Sequence, residues 1–464
     1  MQEQLIIIGG TAAGLSAASR AKKARPDLDV KVYEKSGYVS YGSCGLPYFV
    51  GGMIESEMDL ISLTPVELRE KRGIETFLHH EAIKINKETQ TVDVLNLETG
   101  VSSNIHYDYL VLATGASPVF PDIPNIHAKG VFSLRTIEDG IAIRNKVRES
   151  ASKKAVIVGC GFIGLELAEQ LCLSGFKVTL FEALPRILPF LDPSYSALVM
   201  STLAKNGVEV RTGAALAGIE TENGEVTSVT ASDGATCKTD LVIVSVGVIP
   251  NTQLARSAGI KLGLKGGIVV DDRQRTSEKA IWACGDCVQM CNSISGREAY
   301  VPLGTTANKQ GRVAGGNIVG DSGTFKGVLG SMVTKVFDLY IAATGLTVEQ
   351  ASAAGFEAES AAIVKSDRAS YYPGRADNHI RLVFDRCSGR VLGAQALGSE
   401  SVAGRVNAIA VAISAGMTLE ALNEIDFVYA PPVAPVYDPL LIAASQALKK
   451  MNTVSNAALG TMKD

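Results

Sequence analysis

The stretch AVIVGCGFIGLELAEQLCLSGFKVTLFEA, residues 155–183, decides the fold of this chain. It reads as an apolar strand, a glycine-rich turn, a helix rich in Ala and Leu, and a second apolar strand that ends in an acidic residue. That order is typical of a βαβ unit, in which a crossover helix joins two parallel strands. A similar pattern, LIIIGGTAAGLSAASRAKKARPDLDVKVYEK, occupies residues 5–35. Two such units predict two nucleotide-binding domains.

The turn in the second unit, GCGFIG at residues 159–164, matches the phosphate-binding pattern G-x-G-x-x-G. Its glycines permit a tight turn, close approach of a pyrophosphate and close packing of the helix on the strand. Glu182 follows 18 residues after Gly164. An acid there accepts a hydrogen bond from a ribose 2′-hydroxyl and repels a 2′-phosphate, which favours NADH over NADPH, although Arg186 lies nearby and opposes this preference. The residues expected to contact this nucleotide are Gly159, Gly161, Phe162, Ile163, Gly164, Glu166, Glu182 and Gly247.

The turn in the first unit, GGTAAG at residues 9–14, departs from the pattern because Thr11 replaces the second glycine. The residues around it are small, so a nucleotide backbone still fits. Glu34 follows 20 residues after Gly14 and is placed to bind a ribose. Asp286 ends the segment WACGD, which follows a strand far along the chain. An acid in that position can bind a polyhydroxyl chain such as the ribityl of a flavin.

The rest of the chain divides around these two units. The segment GIVVDDRQRTSEKAIWACGDCVQ, residues 267–289, closes the second unit and returns to the first domain. From about residue 327 the pattern changes to alternating strands and a helix, which predicts a separate α+β domain. The predicted fold class is therefore α/β, with two Rossmann-like βαβ domains and a C-terminal α+β domain. The expected boundaries are 1–118 with 250–326, 119–249, 327–450 and a tail at 451–464.

Composition excludes several classes of protein. The chain has 464 residues, of which 46% are hydrophobic, so it can bury several cores. Lys and Arg number 44 against 48 Asp and Glu, and no basic block is present, which argues against nucleic-acid binding. No apolar run reaches membrane-spanning length. Eight cysteines are too few for a disulfide scaffold, and LIIIGG reads as a buried strand rather than a signal peptide. We therefore expect a cytoplasmic protein.

The segment SYGSCGLPY, residues 40–48, carries a family resemblance. Together with both βαβ units, the ATG turn at 113–115 and the Gly-Asp pair at 285–286, it resembles the pyridine nucleotide–disulfide oxidoreductases over essentially the whole chain. The resemblance implies FAD in the first domain, NADH or NADPH in the second, and a homodimer formed by the third. The residues expected at FAD are Gly9, Thr11, Ala12, Ala13, Gly14, Glu34, Lys35, Ala113, Thr114, Gly115 and Asp286.

Cys44 is the candidate redox residue. Many members of the family carry C-x-x-x-x-C, but the fifth residue after Cys44 is Phe49, so that disulfide cannot form. The chain therefore resembles the single-cysteine branch, which contains coenzyme A disulfide reductases, CoA persulfide reductases, NADH oxidases and NADH peroxidases. At a helix N-terminus Cys44 is expected to be a stabilised thiolate. A lone thiolate must cycle through a mixed disulfide, a persulfide or a sulfenic acid.

Three features of the sequence, each read by resemblance, narrow the choice among the enzymes of this branch. The oxidases and peroxidases usually carry a His at the position of Ala12, which argues against both. The coenzyme A disulfide reductases place two tyrosines in the active site of the partner subunit, and these correspond to Tyr371 and Tyr429. A phenol can supply a proton to a departing thiolate. Coenzyme A carries phosphates that need basic partners. The residues expected at coenzyme A are Arg20, Lys23, Arg72, Ser40 and Ser43.

The predicted reaction is reduction of coenzyme A disulfide, CoA persulfide or polysulfide by NAD(P)H, through a mixed disulfide of Cys44 with coenzyme A. The alternatives are a water-forming NADH oxidase that works through a Cys44 sulfenate and a redox-sensing flavoprotein without turnover. No metal site is expected, because the pair Cys284 and Cys287 lacks further ligands nearby. Neither membrane nor nucleic-acid partners are expected. The sequence leaves open the physiological acceptor and the choice between NADH and NADPH.

Overall fold

The computed structural model describes the backbone of residues 2–460 and the side chains of residues 2–451. Its strands are β1 (Gln4–Ile8), β2 (Asp29–Tyr33), β3 (Glu75–Phe77), β4 (His80–Asn86), β5 (Thr91–Asn96), β6 (Ser102–His106), β7 (Tyr109–Leu112), β8 (Ala116–Pro118), β9 (Val131–Phe132), β10 (Lys154–Val158), β11 (Lys177–Glu182), β12 (Glu209–Thr212), β13 (Leu216–Glu222), β14 (Glu225–Ala231), β15 (Thr236–Lys238), β16 (Leu241–Val244), β17 (Val248–Pro250), β18 (Ile281–Ala283), β19 (Met290–Cys291), β20 (Glu298–Ala299), β21 (Met332–Val336), β22 (Leu339–Gly345), β23 (Ala358–Ser366), β24 (Asp377–Asp385) and β25 (Val391–Gly398).

The helices lie between groups of these strands along the chain. They are α1 (Ala12–Ala24), α2 (Leu46–Val50), α3 (Pro65–Arg72), α4 (Ile137–Glu149), α5 (Phe162–Leu173), α6 (Pro193–Lys205), α7 (Gln253–Ser257), α8 (Gly304–Ile318), α9 (Val348–Ala353), α10 (Ser401–Ser414), α11 (Leu419–Asn423) and α12 (Pro439–Gly460). Short 3-10 turns cover Ser43–Gly45, Glu57–Leu60 and Leu264–Gly266. Within the described residues no helix is both long and apolar enough to cross a membrane.

The chain forms two compact units. The first comprises the residues up to Phe181, together with Ala215–Cys291 and Glu298–Val328. The second comprises Glu182–Ala214, Asn292–Arg297 and the residues from Leu329 onward. The finer division expected from the sequence, with boundaries at 118, 249 and 326, stays a prediction. Residues 451–460 of the predicted tail are helical, since α12 extends to Gly460, and residues 461–464 lie outside the described residues.

A five-stranded parallel sheet with the order β18-β7-β1-β2-β3 organises the start of the first unit. Leu5 and Ile7 of the central strand pack into one hydrophobic cluster, and Ile6 and Ile8 pack into another. The strand is therefore buried on both faces, which explains its uninterrupted apolar run. The pairing of β18 with β7 returns the chain to this sheet, as the sequence predicted.

In the same unit, four strands of a second sheet run parallel in the order β11-β10-β16-β9. Ile157 at its centre pairs with Leu180 on one side and Ile243 on the other. Helix α5 follows β10 and makes the crossover to β11. The two parallel sheets confirm the predicted pair of βαβ units.

The second unit contains a five-stranded antiparallel sheet with the order β21-β22-β25-β24-β23. Helices α10 and α12 pack against it around a core that includes Leu382, Phe384 and Ile409. Strands β23 and β24 pair from Ser366 with Asp377 onward, so that residues 367–376 form the loop between them. The mixed α/β architecture with a C-terminal α+β part confirms the predicted fold class.

Candidate functional site

The first glycine-rich turn leaves room for a ligand at the start of α1. Gly9 has a φ of +110°, and a Cβ there would collide with the carbonyl oxygen of Ala113. Thr11 occupies the N-cap of α1, yet within the described residues no side chain caps this helix end. Helix α3, in contrast, is capped by Thr64 through a capping box. The first backbone N–H groups of α1 therefore point at a site for an anion.

Glu34 lies directly after β2 and beside this turn. Its carboxylate accepts the backbone N–H of Gly10 at 2.7 Å and that of Ser36 at 2.9 Å. The carboxylate is thus held in one orientation at the mouth of the turn. Lys35, in contrast, is exposed and forms an ion pair with Glu81 at 2.8 Å.

Asp286 is the second acidic residue expected at the first nucleotide site. The carboxylate of Asp286 accepts a hydrogen bond of 2.8 Å from the guanidinium of Arg135, and the carbonyl oxygen accepts one of 2.8 Å from the Tyr300 hydroxyl. The backbone N–H of Gly285 donates to Gln310 Oε1 at 2.9 Å. Gln310 is fully buried, and its Nε2 has no hydrogen-bond partner among the residues that the structure describes. Arg135, Tyr300 and Gln310 were missed by sequence reasoning.

The ATG turn, residues 113–115, lies beside Arg135. Thr114 Oγ1 donates to the carbonyl oxygen of Asn251 at 2.6 Å, and Gly115 has a φ of +68°. A Cβ at Gly115 would lie 3.7 Å from Nη2 of Arg135. The turn and the Arg135 guanidinium are therefore neighbours.

Cys44 lies in the 3-10 turn Ser43–Gly45, directly before α2, and its residue is exposed. Ser40, with a φ of +57°, donates its backbone N–H to the carbonyl oxygen of Gly10 at 2.9 Å. This bond ties the cysteine segment to the first nucleotide turn. None of the eight cysteines, all within the described part of the chain, forms a disulfide. Cys44 therefore has no intramolecular sulfur partner.

The electrostatic surroundings of Cys44 differ from the expectation of a stabilised thiolate. Burial of the sulfur among protein atoms raises the pKa of the Cys44 thiol, and the carboxylates of Glu166 and Asp286 raise it further. The guanidinium of Arg135 lowers the pKa but does not outweigh the other groups. The expected effect of a helix N-terminus is also small here, since α2 has only five residues. The protein's own charges therefore favour the neutral thiol.

The second glycine-rich turn has the geometry of the first. Gly159 has a φ of +100° and donates its N–H to the carbonyl oxygen of Phe181 at 2.7 Å. Gly161 forms the N-cap of α5, and no side chain in the described residues caps that end. A Cβ at Gly164 would collide with the carbonyl oxygen of Gly159. Gly247, with a φ of +116°, follows the adjacent strand β16.

The remaining predicted contacts of this turn lie on α5 and at the end of β11. Phe162 and Ile163 form the first turn of α5, and Ile163 is exposed. The carboxylate of Glu182 accepts the backbone N–H of Leu184 at 2.9 Å. Glu166 lies one turn along α5 and acts on the pKa of Cys44.

Helix α5 runs beside α2. A Cβ at Gly51 would lie 2.7 Å from Cβ of Gln170, and Ser174 Oγ donates to the carbonyl oxygen of Gly51 at 3.4 Å. Glu166, Gln170 and Ser174 are four residues apart, so they share one face of α5. Gln170 and Ser174 lie at Gly51, directly after α2, and Glu166 lies one turn earlier on α5, close enough for its charge to act on Cys44.

The residues predicted to bind coenzyme A are dispersed. Ser43 adjoins Cys44 and is exposed. Arg20 is half-exposed and forms an ion pair with Asp321. Lys23 is exposed near the end of α1, and Arg72 is exposed in the last turn of α3. The structure thus places the two serines with Cys44 and the three cations on helix surfaces.

Tyr371 and Tyr429 lie in the second unit. Their hydroxyl oxygens are 3.4 Å apart, although the residues are 58 positions apart in the chain. They are 74% and 47% exposed. The hydrogen bond between the two hydroxyl groups raises the pKa of the Tyr429 phenol. The structure therefore brings the two predicted tyrosines together at a surface.

The Cys284–Cys287 pair is structural. Both residues are fully buried, and Cys287 Sγ donates to the carbonyl oxygens of Leu112 and Cys284 at 3.4 Å. In the described part of the chain no group of three His, Cys, Asp or Glu residues is placed to hold a metal ion.

Comparison with known proteins assigns the family. A model described as pyridine nucleotide-disulphide oxidoreductase matches residues 3–311, and one described as the dimerisation domain of that family matches residues 331–439. The chain belongs to the pyridine nucleotide-disulphide oxidoreductase family. The predicted resemblance is therefore confirmed.

Individual relatives cover nearly the whole chain. An NADH oxidase from Methanocaldococcus jannaschii is 39% identical over 96% of this chain and 99% of its own. An NAD(P)H sulfur oxidoreductase (CoA-dependent) from Pyrococcus furiosus is 38% identical over 96% of this chain and 98% of its own. The structure of an NAD-dependent persulfide reductase from A. fulgidus matches with a TM-score of 0.94 and 37% identity, over 97% of this chain and 84% of that one.

This pyridine nucleotide-disulphide oxidoreductase is an enzyme that uses FAD and NAD(P)H. The first site fits FAD because the uncapped start of α1 faces an anion site, and because Gln310 Nε2 is a buried donor without a partner. Glu34 and Asp286 would hold its hydroxyl groups. The uncapped start of α5 fits the pyrophosphate of NAD(P)H. FAD, when bound, would accept a hydride equivalent from the nicotinamide.

Proposed function

We propose that this enzyme reduces coenzyme A disulfide or CoA persulfide with electrons from NAD(P)H, and that Cys44 is its redox residue. The observation that carries the proposal is that Cys44 is exposed, lies in a segment that Ser40 ties to the first nucleotide turn, and has no sulfur partner within the described chain. Such a thiol can form a disulfide only with a sulfur that a substrate supplies. The CoA-dependent relative from P. furiosus supports coenzyme A as the source of that sulfur.

The sulfur chemistry balances with one cysteine. The thiolate of Cys44 attacks one sulfur of coenzyme A disulfide, forms a mixed disulfide and releases the first coenzyme A thiolate. Two electrons then break the mixed disulfide, which restores the Cys44 thiolate and releases the second coenzyme A thiolate. With a persulfide, attack on the outer sulfur leaves a Cys44 persulfide, and its reduction releases sulfide. Each turnover consumes one reduced nicotinamide.

Residues of this chain determine how readily the Cys44 thiol loses its proton. Burial and the carboxylate of Glu166 raise the pKa of the thiol and so oppose the loss of its proton. Arg135, which is hydrogen-bonded to Asp286, favours that loss without outweighing the other groups. Nicotinamide binding is assigned to the turn around Gly161, and the acid at Glu182 favours NADH.

The protonation of the departing thiolate is assigned to the tyrosines of a homodimer. The match of residues 331–439 to the dimerisation domain supports this assembly. In the proposed dimer, Tyr429 of the partner subunit donates a proton toward coenzyme A bound at Cys44, and Tyr371 of the partner subunit holds that phenol by its hydroxyl contact. Ser40, Ser43, Arg20, Lys23 and Arg72 are assigned to coenzyme A itself.

The relative from M. jannaschii named as an NADH oxidase favours a second candidate function. In that function Cys44 cycles through a sulfenic acid as oxygen is reduced. Ala12 argues against it by resemblance, because the oxidases usually carry a histidine there. Oxygen uptake and coenzyme A disulfide turnover, measured side by side with NADH, separate the two. Oxygen uptake that exceeds disulfide turnover by orders of magnitude would make the NADH oxidase the favoured function.

The test of Cys44 uses two cysteine variants. Cys44→Ser is expected to retain bound flavin, which its visible absorbance reports, and to lose coenzyme A disulfide reduction under anaerobic conditions. Cys387→Ser is the matched control, since Cys387 is also exposed but lies in the second unit, and it is expected to turn over normally. Intact mass of the isolated enzyme before and after reductant identifies any thiol attached to Cys44. Full turnover by Cys44→Ser would refute the assignment.

A further inference from the structure

Arg405 is a buried arginine of α10 that contacts three separate groups. Only 8% of its side chain is exposed. Its Nε and Nη2 donate to both carboxylate oxygens of Asp438 over 2.9–3.2 Å. Nη2 also donates to the carbonyl oxygen of Asp367 at 3.1 Å, and Nη1 donates to Ser401 Oγ at 2.6 Å. The guanidinium therefore ties α10 to two other segments of the second unit.

These two segments carry Tyr371 and Tyr429, and we call them the tyrosine loops, residues 367–376 and 428–438. Asp367 begins the first loop, and its carboxylate accepts the N–H of Ala376 at 3.0 Å, which closes the loop at its base. Asp438 ends the second loop, and its carboxylate accepts the N–H of Leu440 at 2.8 Å at the start of α12. Arg405 thus holds the bases of both loops.

The loops also touch each other above this base. The N–H of Ala369 donates to the carbonyl oxygen of Pro431 at 3.2 Å. The hydroxyl groups of Tyr371 and Tyr429 then meet at 3.4 Å. Two exposed phenols gain little from a mutual contact in water, because water competes for each hydrogen bond. Their separation must therefore be set by the backbone of the loops that carry them.

We propose that Arg405 is a positioning residue that sets the separation of Tyr371 and Tyr429 through the bases of the two tyrosine loops. The planar guanidinium suits this role, since it bonds a carboxylate in a fork and a carbonyl oxygen at once, and burial keeps water from replacing these bonds. The inference rests on the proposed function, in which Tyr429 of the partner subunit protonates the departing thiolate. Arg405 itself touches neither substrate nor cofactor in this assignment.

The decisive variant removes both charges of the pair. Removal of Arg405 alone would leave a buried carboxylate unpaired and could unfold the unit, whereas replacement of both partners is often tolerated. The double variant Arg405→Met with Asp438→Asn leaves an amide oxygen that still accepts the N–H of Leu440. The matched control is Arg386→Met with Glu359→Gln, an ion pair of the same unit whose side chains are about one-third exposed.

The double variant is expected to bind flavin and to be reduced by NADH at the wild-type rate. Its kcat with coenzyme A disulfide is expected to fall by about 10- to 100-fold, the loss typical of a small misplacement of a reacting group. KM should change much less, because Arg405 does not contact the substrate. The control variant should match the wild type in both half-reactions.

A spectroscopic readout tests the position of the tyrosines without turnover. In enzyme labelled with 3-fluorotyrosine, the ¹⁹F resonances of residues 371 and 429 are assigned with the Tyr371→Phe and Tyr429→Phe variants. In the wild type the ¹⁹F resonance of each residue should shift when the other is replaced by Phe, because the two hydroxyl groups are in contact, and in the double variant the same replacement should leave it unchanged. Arg405→Lys keeps the positive charge but cannot form the paired hydrogen bonds of the guanidinium with a carboxylate. It should therefore give an intermediate loss of kcat and of the coupling between the two tyrosine resonances.

The outcomes separate the two proposals. A mutual ¹⁹F shift effect as large as in the wild type, together with full turnover in the double variant, overturns the role of Arg405. If the double variant fails to fold, the same result in Arg405→Lys overturns it. A wild-type enzyme that does not reduce coenzyme A disulfide defeats the proposed function, and the ¹⁹F shifts then still decide whether Arg405 positions the tyrosines.

Discussion

The guanidinium of Arg135 donates a hydrogen bond of 2.8 Å to the carboxylate of Asp286, and the two side chains are 31% and 13% exposed. The residues are 151 positions apart in the chain. Both act on Cys44, since Arg135 lowers the pKa of the thiol and Asp286 raises it. The pair therefore links the acid expected at the flavin to the ionisation of Cys44, the proposed redox residue.

Arg135→Met is predicted to raise the pKa of Cys44. The loss of a positive charge disfavours the thiolate, so the pH midpoint of Cys44 alkylation by iodoacetamide moves up. At pH 7 alkylation should slow by roughly three- to tenfold. Arg135→Lys keeps the charge and should shift the midpoint less. An unchanged midpoint in Arg135→Met would show that this guanidinium does not act on the sulfur.

Glu166→Gln is predicted to lower the pKa of Cys44, the opposite of the effect of Arg135→Met. Its carboxylate raises the pKa of Cys44, so neutralisation should lower the pH midpoint of alkylation and speed the reaction at pH 7. The control is Glu149→Gln, at the exposed end of α4. A midpoint that moves up in Glu166→Gln would contradict the direction that we assign to this charge.

Tyr371→Phe is predicted to change the pH profile of the enzyme. The hydrogen bond between the two phenols raises the pKa of Tyr429, so its loss in Tyr371→Phe lowers that pKa. A phenol that must stay protonated to act as an acid then fails at lower pH, and the basic limb of the kcat profile moves down. Tyr429→Phe removes the acid and should cost about 100-fold in kcat. Tyr437→Phe, 72% exposed, is the control. Identical profiles for all three variants would remove the tyrosines from the mechanism.

Glu182→Ala is predicted to weaken the preference for NADH. Removal of the carboxylate removes its repulsion of a 2′-phosphate, and Arg186 remains available nearby. The ratio of kcat/KM for NADH to that for NADPH should fall by roughly tenfold, which corresponds to about 1.4 kcal/mol. Steady-state kinetics with both nucleotides measures the ratio. A wild-type enzyme that already prefers NADPH would contradict the role given to Glu182.

Gly311→Ala is predicted to destabilise the first unit. A Cβ at Gly311 in α8 would collide with the carbonyl oxygen of Ala13 in α1 and approach Cβ of Ser16 to 2.9 Å. The clash should cost about 1–3 kcal/mol, which exceeds the gain in helix propensity of about 1 kcal/mol. The thermal midpoint, followed by flavin release, should fall. Gly404→Ala in α10 is the control, because its Cβ meets nothing within 4 Å, and its midpoint should stay or rise.

The nucleotide-binding units were predictable from the sequence, and Cys44 could be singled out there as the candidate redox residue. The alternation of apolar strands, glycine-rich turns and helices is written in consecutive residues, and the N–H groups at the start of α1 and α5 follow from that local order. Cys44 stood out for a similar reason, since Phe49 occupies the place of a second cysteine. Family resemblance then extended these local patterns to the whole chain.

The electrostatics of the site and the support of the tyrosines depended on the tertiary structure. The pKa of Cys44 was expected to be low, but burial and the carboxylates of Glu166 and Asp286 raise it. Arg135 and Arg405 belong to no motif, and each acts through residues that are distant in the chain. Local periodicity records which backbone conformation a segment prefers, whereas a charge acts through space. Only the folded path of the chain decides which charges and which loops meet.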